Sequence, residues 1–176
     1  MKRVITFLLF TLALLIFVAC NNKKVSTQLK TVSPDTTQSF KPLSGEISLD
    51  KLPINIKEYV NKHYPGYAIK KAAYDPLCTG EDAMDIAISK QDSPDYSLIF
   101  LFDGTFVQLE EDIDLSKAPA KVLETVKAKY ADFQPAHKIE SLTLADKSIA
   151  YLVDLTKGTL TKEVILKADG TIVCEQ

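Results

Sequence analysis

The sequence contains few of the side chains from which catalytic sites are usually built. It has three cysteines and two histidines, His63 and His137. His63 falls on a predicted helix face whose neighbours are apolar, where a packed histidine is a better explanation than a general base. No spacing in the chain assembles a nucleophile with an orienting base and acid. We therefore expect no catalytic residue, no cofactor and no enzymatic activity.

The sequence also lacks an excess of positive charge. Its 21 basic and 23 acidic residues give a net charge of −2, which excludes the basic surface that nucleic acid requires. Acidic runs occur at 81–82 with Asp85 and at 110–112 with Asp114, but without the glycine and ligand spacing of a calcium loop. We interpret them as a solvated sheet edge that discourages pairing with another sheet, and we expect no metal site.

Only one long apolar run is present, at residues 4–19. Lys2 and Arg3 precede it, and a polar stretch follows Cys20. The run is shorter than the roughly 20 residues that a membrane-spanning helix needs. These features predict a signal peptide over residues 1–19 rather than a permanent transmembrane anchor.

The end of this run resembles a bacterial lipobox. The residues Phe17-Val18-Ala19-Cys20 place small side chains before a cysteine, with Phe where Leu is usual. The resemblance implies a lipid on Cys20 that anchors the protein to a membrane of the bacterial cell envelope, on its periplasmic or cell-surface side. Residues 20–47 are rich in Ser, Thr, Lys and Gln without apolar periodicity, which predicts a lipidated N-terminus followed by a flexible tether.

From Ser48 onward the chain aligns with itself. SLDKLPINIKEYVNKHY matches DLSKAPAKVLETVKAKY, and FDGTFV at 102–107 matches ADGTIV at 168–173. Such internal similarity predicts two tandem repeats, at 48–114 and 115–176. Each reads as a helix followed by three or four antiparallel strands. We expect an α+β fold in which both helices pack on one face of a shared sheet, since one repeat alone would bury too small a core.

The hairpins in these repeats predict which side chains point away from the helices. Asp-Gly between strand-forming runs favours a two-residue type I′ turn, which places Phe100 opposite Val107. The resulting open face carries five apolar residues, Ile99, Leu101, Phe106, Ile165 and Ile172. Polar residues are usual on such a face. Either another part of the protein covers it, or it is a binding surface.

Several short motifs resemble those of the PepSY-like, beta-lactamase-inhibitor-like proteins. They are Leu52-Pro53, Tyr64-Pro65-Gly66 and the FDGTF of residues 102–106, while the second repeat keeps mainly the hairpin. The similarity covers about residue 48 to the C-terminus. It implies the fold of beta-lactamase inhibitor protein, with tandem helix-plus-four-strand units, in secreted or envelope-anchored bacterial proteins. In that inhibitor the concave sheet face grips the enzyme. The motifs are structural and carry no catalytic residues.

These observations lead to a hypothesis about function. We expect a non-enzymatic envelope lipoprotein that binds a protein or peptide partner through the open sheet face, a role that includes inhibition of an enzyme. The alternative is a carrier or sensor for a small ligand or an envelope component. Cys78 and Cys174 could form a disulfide in an oxidising compartment, but the sequence leaves open whether they meet.

Overall fold

The computed structural model describes residues 44–176. The predicted signal peptide, Cys20 and most of the predicted tether lie outside these residues. Within residues 44–176 no helix is long and apolar enough to span a membrane. The folded part begins before the predicted boundary at residue 48, because Gly45–Glu46 forms a short strand and the Ile47 N–H donates to the Ala72 carbonyl at 2.8 Å.

Over residues 44–176 the fold is α+β, with one antiparallel sheet of ten strands and two α-helices. The elements in chain order are β1 (Gly45–Glu46), α1 (Ile54–His63), β2 (Ala68–Tyr74), β3 (Ala83–Ser89), β4 (Tyr96–Leu101), β5 (Phe106–Asp114), α2 (Ala120–Lys129), β6 (Gln134–Pro135), β7 (Lys138–Leu144), β8 (Ile149–Lys157), β9 (Leu160–Lys167) and β10 (Ile172–Glu175). The strand order is β1-β2-β3-β4-β5-β7-β8-β9-β10, and β6 pairs with β8. A three-residue 3₁₀ helix precedes each α-helix.

Each α-helix begins directly after a proline. Pro53 and Pro119 occupy the two N-cap positions, where the fixed φ of proline fits and its missing N–H is not needed. Each helix then buries two side chains one turn apart, as the apolar spacing predicts. These buried residues are Ile56 and Val60 in α1, and Val122 and Val126 in α2.

Two hydrophobic cores lie between the helices and the sheet. The first joins α1 to β2, β3 and β4, and its centre is the fully buried Phe100. The second joins α2 to β7, β8 and β9, around Val153 and Leu166. Strand β5 contributes Leu109 to the first core and Ile113 to the second. Because these two residues are four positions apart on one strand, they point to the same side, so both helices cover the same face of the sheet.

The two Asp-Gly turns have the same geometry, but it is not the predicted type I′. In the first turn the Gly104 N–H donates to the Leu101 carbonyl at 2.8 Å, and the Leu101 N–H donates to the Thr105 carbonyl at 2.9 Å. Gly104 has a positive φ of 85°, whereas Asp103 does not. This is a type I turn followed by a glycine bulge, which adds one residue to the loop. The second hairpin repeats it at Gly170, with φ of 84°.

The added residue reverses the faces of the side chains just after each turn. Phe106, rather than Val107, pairs with Phe100. Phe106 and Ile172 therefore pack in the cores beneath the helices, and the prediction that they lie on the open face is wrong. Val107 and Val173 point to the open face instead.

Replacing Gly170 by alanine should destabilise the protein by about 2–3 kcal/mol, through backbone strain at positive φ and a steric clash. A Cβ at this position would lie 2.6 Å from Thr125 Oγ1 and 2.7 Å from the carbonyl oxygen of Lys121. The Lys121 carbonyl belongs to the backbone of α2, so it can move away from the added Cβ only if the helix moves. At Gly104 the three atoms nearest to a Cβ all belong to the side chain of Asn55, which can rotate away, so we expect a loss of about 1 kcal/mol there.

Urea denaturation of the two variants checks this ranking. Gly158→Ala is the control, because Gly158 also has a positive φ but a Cβ there would have no heavy atom within 4 Å. A loss of stability at Gly170 no larger than that at Gly158 would show that contact between the turn and α2 is unimportant.

Candidate binding cleft on the open sheet face

The sheet curves around the face that the helices leave open. Cys78 in the β2–β3 connection and Cys174 on β10 form a disulfide, with their Cα atoms 6.2 Å apart. In a flat sheet the seven steps from β2 to β10 would span about 34 Å. Cys78 follows the end of β2 by only four residues, a reach of about 14 Å at most. The sheet must therefore curl, and its open face is concave.

The disulfide holds the β2–β3 connection against this concave face. Within the connection the Leu77 N–H donates to the Glu81 carbonyl at 2.8 Å, and the Gly80 N–H donates to the Leu77 carbonyl at 2.7 Å. The connection thus forms its own tight turn. With Cys78 fixed to β10, it builds one wall of a cleft.

An apolar cleft of about 750 Å³ lies between this wall and the sheet. Its apolar floor consists mainly of Ile99, Val107, Leu142, Leu144, Leu152 and Ile165. Toward the rim two further apolar residues line it, Ile149 and Val173, which are 41% and 54% exposed. Exposed apolar side chains around a concave apolar floor are typical of a binding site.

The sequence identified part of this cleft. Of the five predicted residues, Ile99 and Ile165 line it, and Ile99 lies at its floor with 1% exposure. Leu101 shares the strand face of Ile99 but lies beyond the cleft. Phe106 and Ile172 are on the helix side. The cleft residues of β7 and β8 are not among those predicted. Their signal in the sequence is a second set of apolar residues, which alternates along each strand with the residues that face the core. These cleft residues are Leu142, Leu144, Ala150 and Leu152.

Acidic side chains cross the middle of the open face. Glu110 on β5 lies opposite Ser97 on β4 and Leu142 on β7, and Glu140 lies two residue pairs further along the β5–β7 ladder. The interpretation of the acidic runs as a solvated sheet edge is therefore wrong for Asp85 and Glu110. Both are on strands that have partners on two sides.

Burial and repulsion from neighbouring carboxylates raise the pKa values of two of these groups. Burial, together with the charge of Glu140, raises the pKa of Glu110 to about 8, although Gln108 donates to Glu110 Oε1 at 2.7 Å and opposes the rise. Burial, with the charges of Asp154 and Asp112, raises the pKa of Glu140 to about 7. Both carboxyls are thus easier to protonate than ordinary glutamates.

Little positive charge compensates these carboxyls. Within residues 44–176 none of the ion pairs includes Glu110 or Glu140, and the Lys138 ammonium instead meets Asp112 at 3.3 Å. Burial raises the pKa of Asp85, whose Oδ1 is buried without a hydrogen-bond partner. A buried carboxylate oxygen without a partner is costly, so the open face stores unfavourable electrostatic energy.

A second cleft of about 550 Å³ adjoins the first. Glu110 lines both, and the second is bounded by Ser97, Asp112, Lys138 and Glu140. The open face is therefore a groove with an apolar part and an acidic part that meet at Glu110.

The histidines lie away from this groove. His63 is exposed, and its ring stacks on that of Tyr59 with centroids 4.3 Å apart, so it is not enclosed among apolar neighbours. His137 is also exposed, and neither histidine lines either cleft. In the part of the chain that the structure describes, no group of three or more His, Cys, Asp or Glu residues is arranged to hold a metal ion.

Comparison with known proteins gives similarity of fold alone. No family model and no curated protein sequence matches the chain. A DUF2874 family protein from Bacteroides uniformis has a similar structure, with a TM-score of 0.52 and 13% identity over 71% of this chain and 88% of that one. A predicted periplasmic protein from Bacteroides eggerthii gives a TM-score of 0.51 and 16% identity over 70% and 87%. A BLIP-like protein from Bacteroides fragilis gives 0.49 and 18% over 71% and 86%. The chain shares its fold with the first two of these proteins.

Proposed function

We propose that the protein is a non-enzymatic binding protein of the bacterial cell envelope, and that its concave sheet face receives a segment of a protein partner. The observation that carries the proposal is the apolar cleft of about 750 Å³, one wall of which is fixed by the Cys78–Cys174 disulfide. A preformed apolar cleft with rigid walls reduces the entropy that binding costs. Inhibition of an envelope enzyme is one role that such binding would serve.

Three features support a location in the envelope. The first 19 residues have the form of a signal peptide, and Cys20 follows small residues as in a lipobox, so we propose that a lipid on Cys20 anchors the protein. The disulfide favours an oxidising compartment. The Bacteroides eggerthii protein that shares this fold is predicted to be periplasmic.

We further propose that the two halves of the sheet are copies of one ancestral unit. The α-helices begin at Ile54 and Ala120, 66 residues apart, and each follows a 3₁₀ helix and a proline. The Asp-Gly turns share their hydrogen bonds and the positive φ of the glycine. Joining two such units through the β5–β7 pair produces a sheet long enough to curve around a ligand.

Site-specific photo-cross-linking in the native host tests the proposed function. A photoreactive amino acid in place of Val173 lies at the rim of the cleft and should give a discrete adduct with a partner protein. The matched control is Leu160, which is 60% exposed but lies outside both clefts. Equal adducts from the two positions, or none from Val173, would contradict the proposal.

A small apolar ligand is the second candidate occupant. The cleft volume falls within the roughly 300–1,000 Å³ that is usual for small-molecule sites. Native mass spectrometry of protein purified from its own host distinguishes the two functions. A bound small molecule at one-to-one stoichiometry, without a protein partner, would favour the carrier.

A further inference from the structure

The negative charge of the described chain is concentrated on the open face. Residues 44–176 contain 22 acidic residues and 15 lysines. Ten of these acidic residues and three of these lysines line the two clefts. The remaining 12 acidic residues and 12 lysines balance each other. With every acidic group counted as ionised, the groove therefore carries the whole excess of negative charge, and its field attracts cations.

Two carboxyl groups at and beside the junction of the clefts lack an ion-pair partner. Glu110 and Glu140 are only partly exposed and enter no ion pair within residues 44–176. On the neighbouring strand β3, Asp85 Oδ1 is buried without a hydrogen bond, and the charge of Lys71 only partly offsets the burial of this carboxyl. Burying a carboxylate without a partner costs free energy, and a cation that arrives there recovers part of that cost.

The shape of the groove favours a chain molecule over a compact one. Glu110 lines both the cleft of about 750 Å³ and the cleft of about 550 Å³. An occupant that fills the apolar part and continues into the acidic part must pass this residue. An extended polypeptide, which advances about 3.3 Å per residue and places side chains alternately on two sides, can do this.

We infer that the occupant is a polypeptide segment with an apolar side chain near a lysine or arginine. The apolar side chain fills the cleft over Leu152 and Ile165, and the cation lies against Glu110 and Glu140. The inference rests on the proposed function and specifies the partner. An acidic or phosphorylated segment would be repelled by the same carboxyls, and a neutral apolar ligand would leave them unpaired. The raised pKa values of Glu110 and Glu140 are consistent with a site that lacks its counter-charge.

Selection from a library of random heptapeptides displayed on phage tests the inference. The target is the full chain in detergent, as the native protein and as three variants. Glu110→Gln/Glu140→Gln removes the charges, Ile149→Ser/Val173→Ser alters the apolar rim, and Leu160→Ser is an exposed control outside the clefts. Native protein and the control should enrich peptides that combine apolar residues with Lys or Arg. A selected peptide should bind about tenfold more tightly than its Lys→Gln counterpart, because its cation pairs with carboxylates in the groove.

The outcomes distinguish failure of the inference alone from failure of the proposed function as well. The Glu110→Gln/Glu140→Gln variant should lose the preference for Lys and Arg and keep the apolar preference, while the rim variant should recover few peptides. Apolar peptides without cationic enrichment on the native protein would overturn the inference and leave the proposed function standing. Equal recovery on the native protein and the rim variant would overturn both. A small molecule that copurifies with the native protein and blocks selection would also overturn both, as would displacement of peptides by a second copy or by the lysine-bearing residues 21–43.

Discussion

Replacing Cys78 and Cys174 by serine should lower the free energy of unfolding by about 4 kcal/mol. The disulfide joins residues 96 positions apart, so its loss releases a large loop in the unfolded chain. In the folded state it connects the loop after β2 with the last strand, at the far end of the strand order.

Urea denaturation measures this effect. Oxidised wild-type protein should unfold at a higher urea concentration than the double variant. Wild-type protein with a reducing agent should unfold at the same urea concentration as the variant. Cys20 is the same in both proteins, so the reducing agent can change the difference between them only by breaking the Cys78–Cys174 bond. Coincident transitions for the oxidised protein and the variant would show that the disulfide contributes no stability.

The same variant should also loosen the wall of the cleft. The amides of Leu77 and Gly80 are bonded only within the β2–β3 connection. Without the disulfide we expect their hydrogen exchange to accelerate by an order of magnitude or more, whereas amides of central strand β4 should change little in conditions where the protein stays folded. Unchanged exchange at Leu77 would mean that the connection is fixed by something other than Cys78.

The helices and strands could be predicted because their signals are local. Pro53 and Pro119 mark the helix starts, and the apolar spacing of Ile56 with Val60 defines the buried face within one turn. The Asp-Gly pairs likewise located both hairpins. Such signals depend on residues that are neighbours in the sequence, and they need no knowledge of the rest of the fold.

The type of hairpin turn could not be predicted from Asp-Gly alone. That pair suits both a two-residue turn and a longer turn with a glycine bulge. The structure favours the longer one, because the Asp103 carboxylate accepts the Thr105 N–H at 2.8 Å, and Asp169 does the same for Thr171 at 2.9 Å. This Asx hydrogen bond stabilises the type I conformation. One residue of difference was enough to assign Phe106 to the wrong face.

The carboxyls of the groove were missed for a different reason. A glutamate on a strand usually indicates a solvent-exposed position. Only the pairing of β5 with β7 places Glu110 in the middle of the sheet. That pairing joins the two halves of the chain, and no local pattern specifies it. The curvature that encloses the groove depends in turn on the meeting of Cys78 with Cys174, which is a contact over 96 residues.

The stability of the folded protein should fall by about 5 kcal/mol as the pH rises from 5 to 8, with about 3.5 kcal/mol from Glu110 and the rest, reduced by solvent screening, from Glu140. The pKa of Glu110 is raised to about 8 in the folded state, against about 4.5 in the unfolded chain, and that of Glu140 is raised to about 7. Between these limits the folded protein holds more protons than the unfolded chain. Raising the pH therefore favours unfolding, and the stabilisation present below about pH 4.5 is lost by about pH 8.

Other carboxyls produce the opposite trend in more acidic solution. Hydrogen bonds within their own turns lower the pKa values of Asp103, Asp114, Asp146 and Asp169, so their contribution is lost as the pH falls below their ordinary values near 3.8. The two trends together predict a maximum of stability between about pH 4 and 4.5. A protein whose carboxyls were all solvated would instead show little change between pH 5 and 8.

Urea denaturation of a double variant at pH 5 and pH 8 tests the origin of this dependence. Glu110→Gln/Glu140→Gln should reduce the change in the free energy of unfolding to less than about 1 kcal/mol, because glutamine neither titrates nor repels its neighbours. The control Glu58→Gln/Glu124→Gln removes two charges from exposed positions on the helices and should keep the wild-type dependence. If all three proteins show the same pH dependence, groups other than Glu110 and Glu140 are responsible for it. If only Glu110→Gln/Glu140→Gln loses the pH dependence of stability, the negative charge of the open face lowers the stability of the folded protein. That result is expected of a surface that binds a cationic partner.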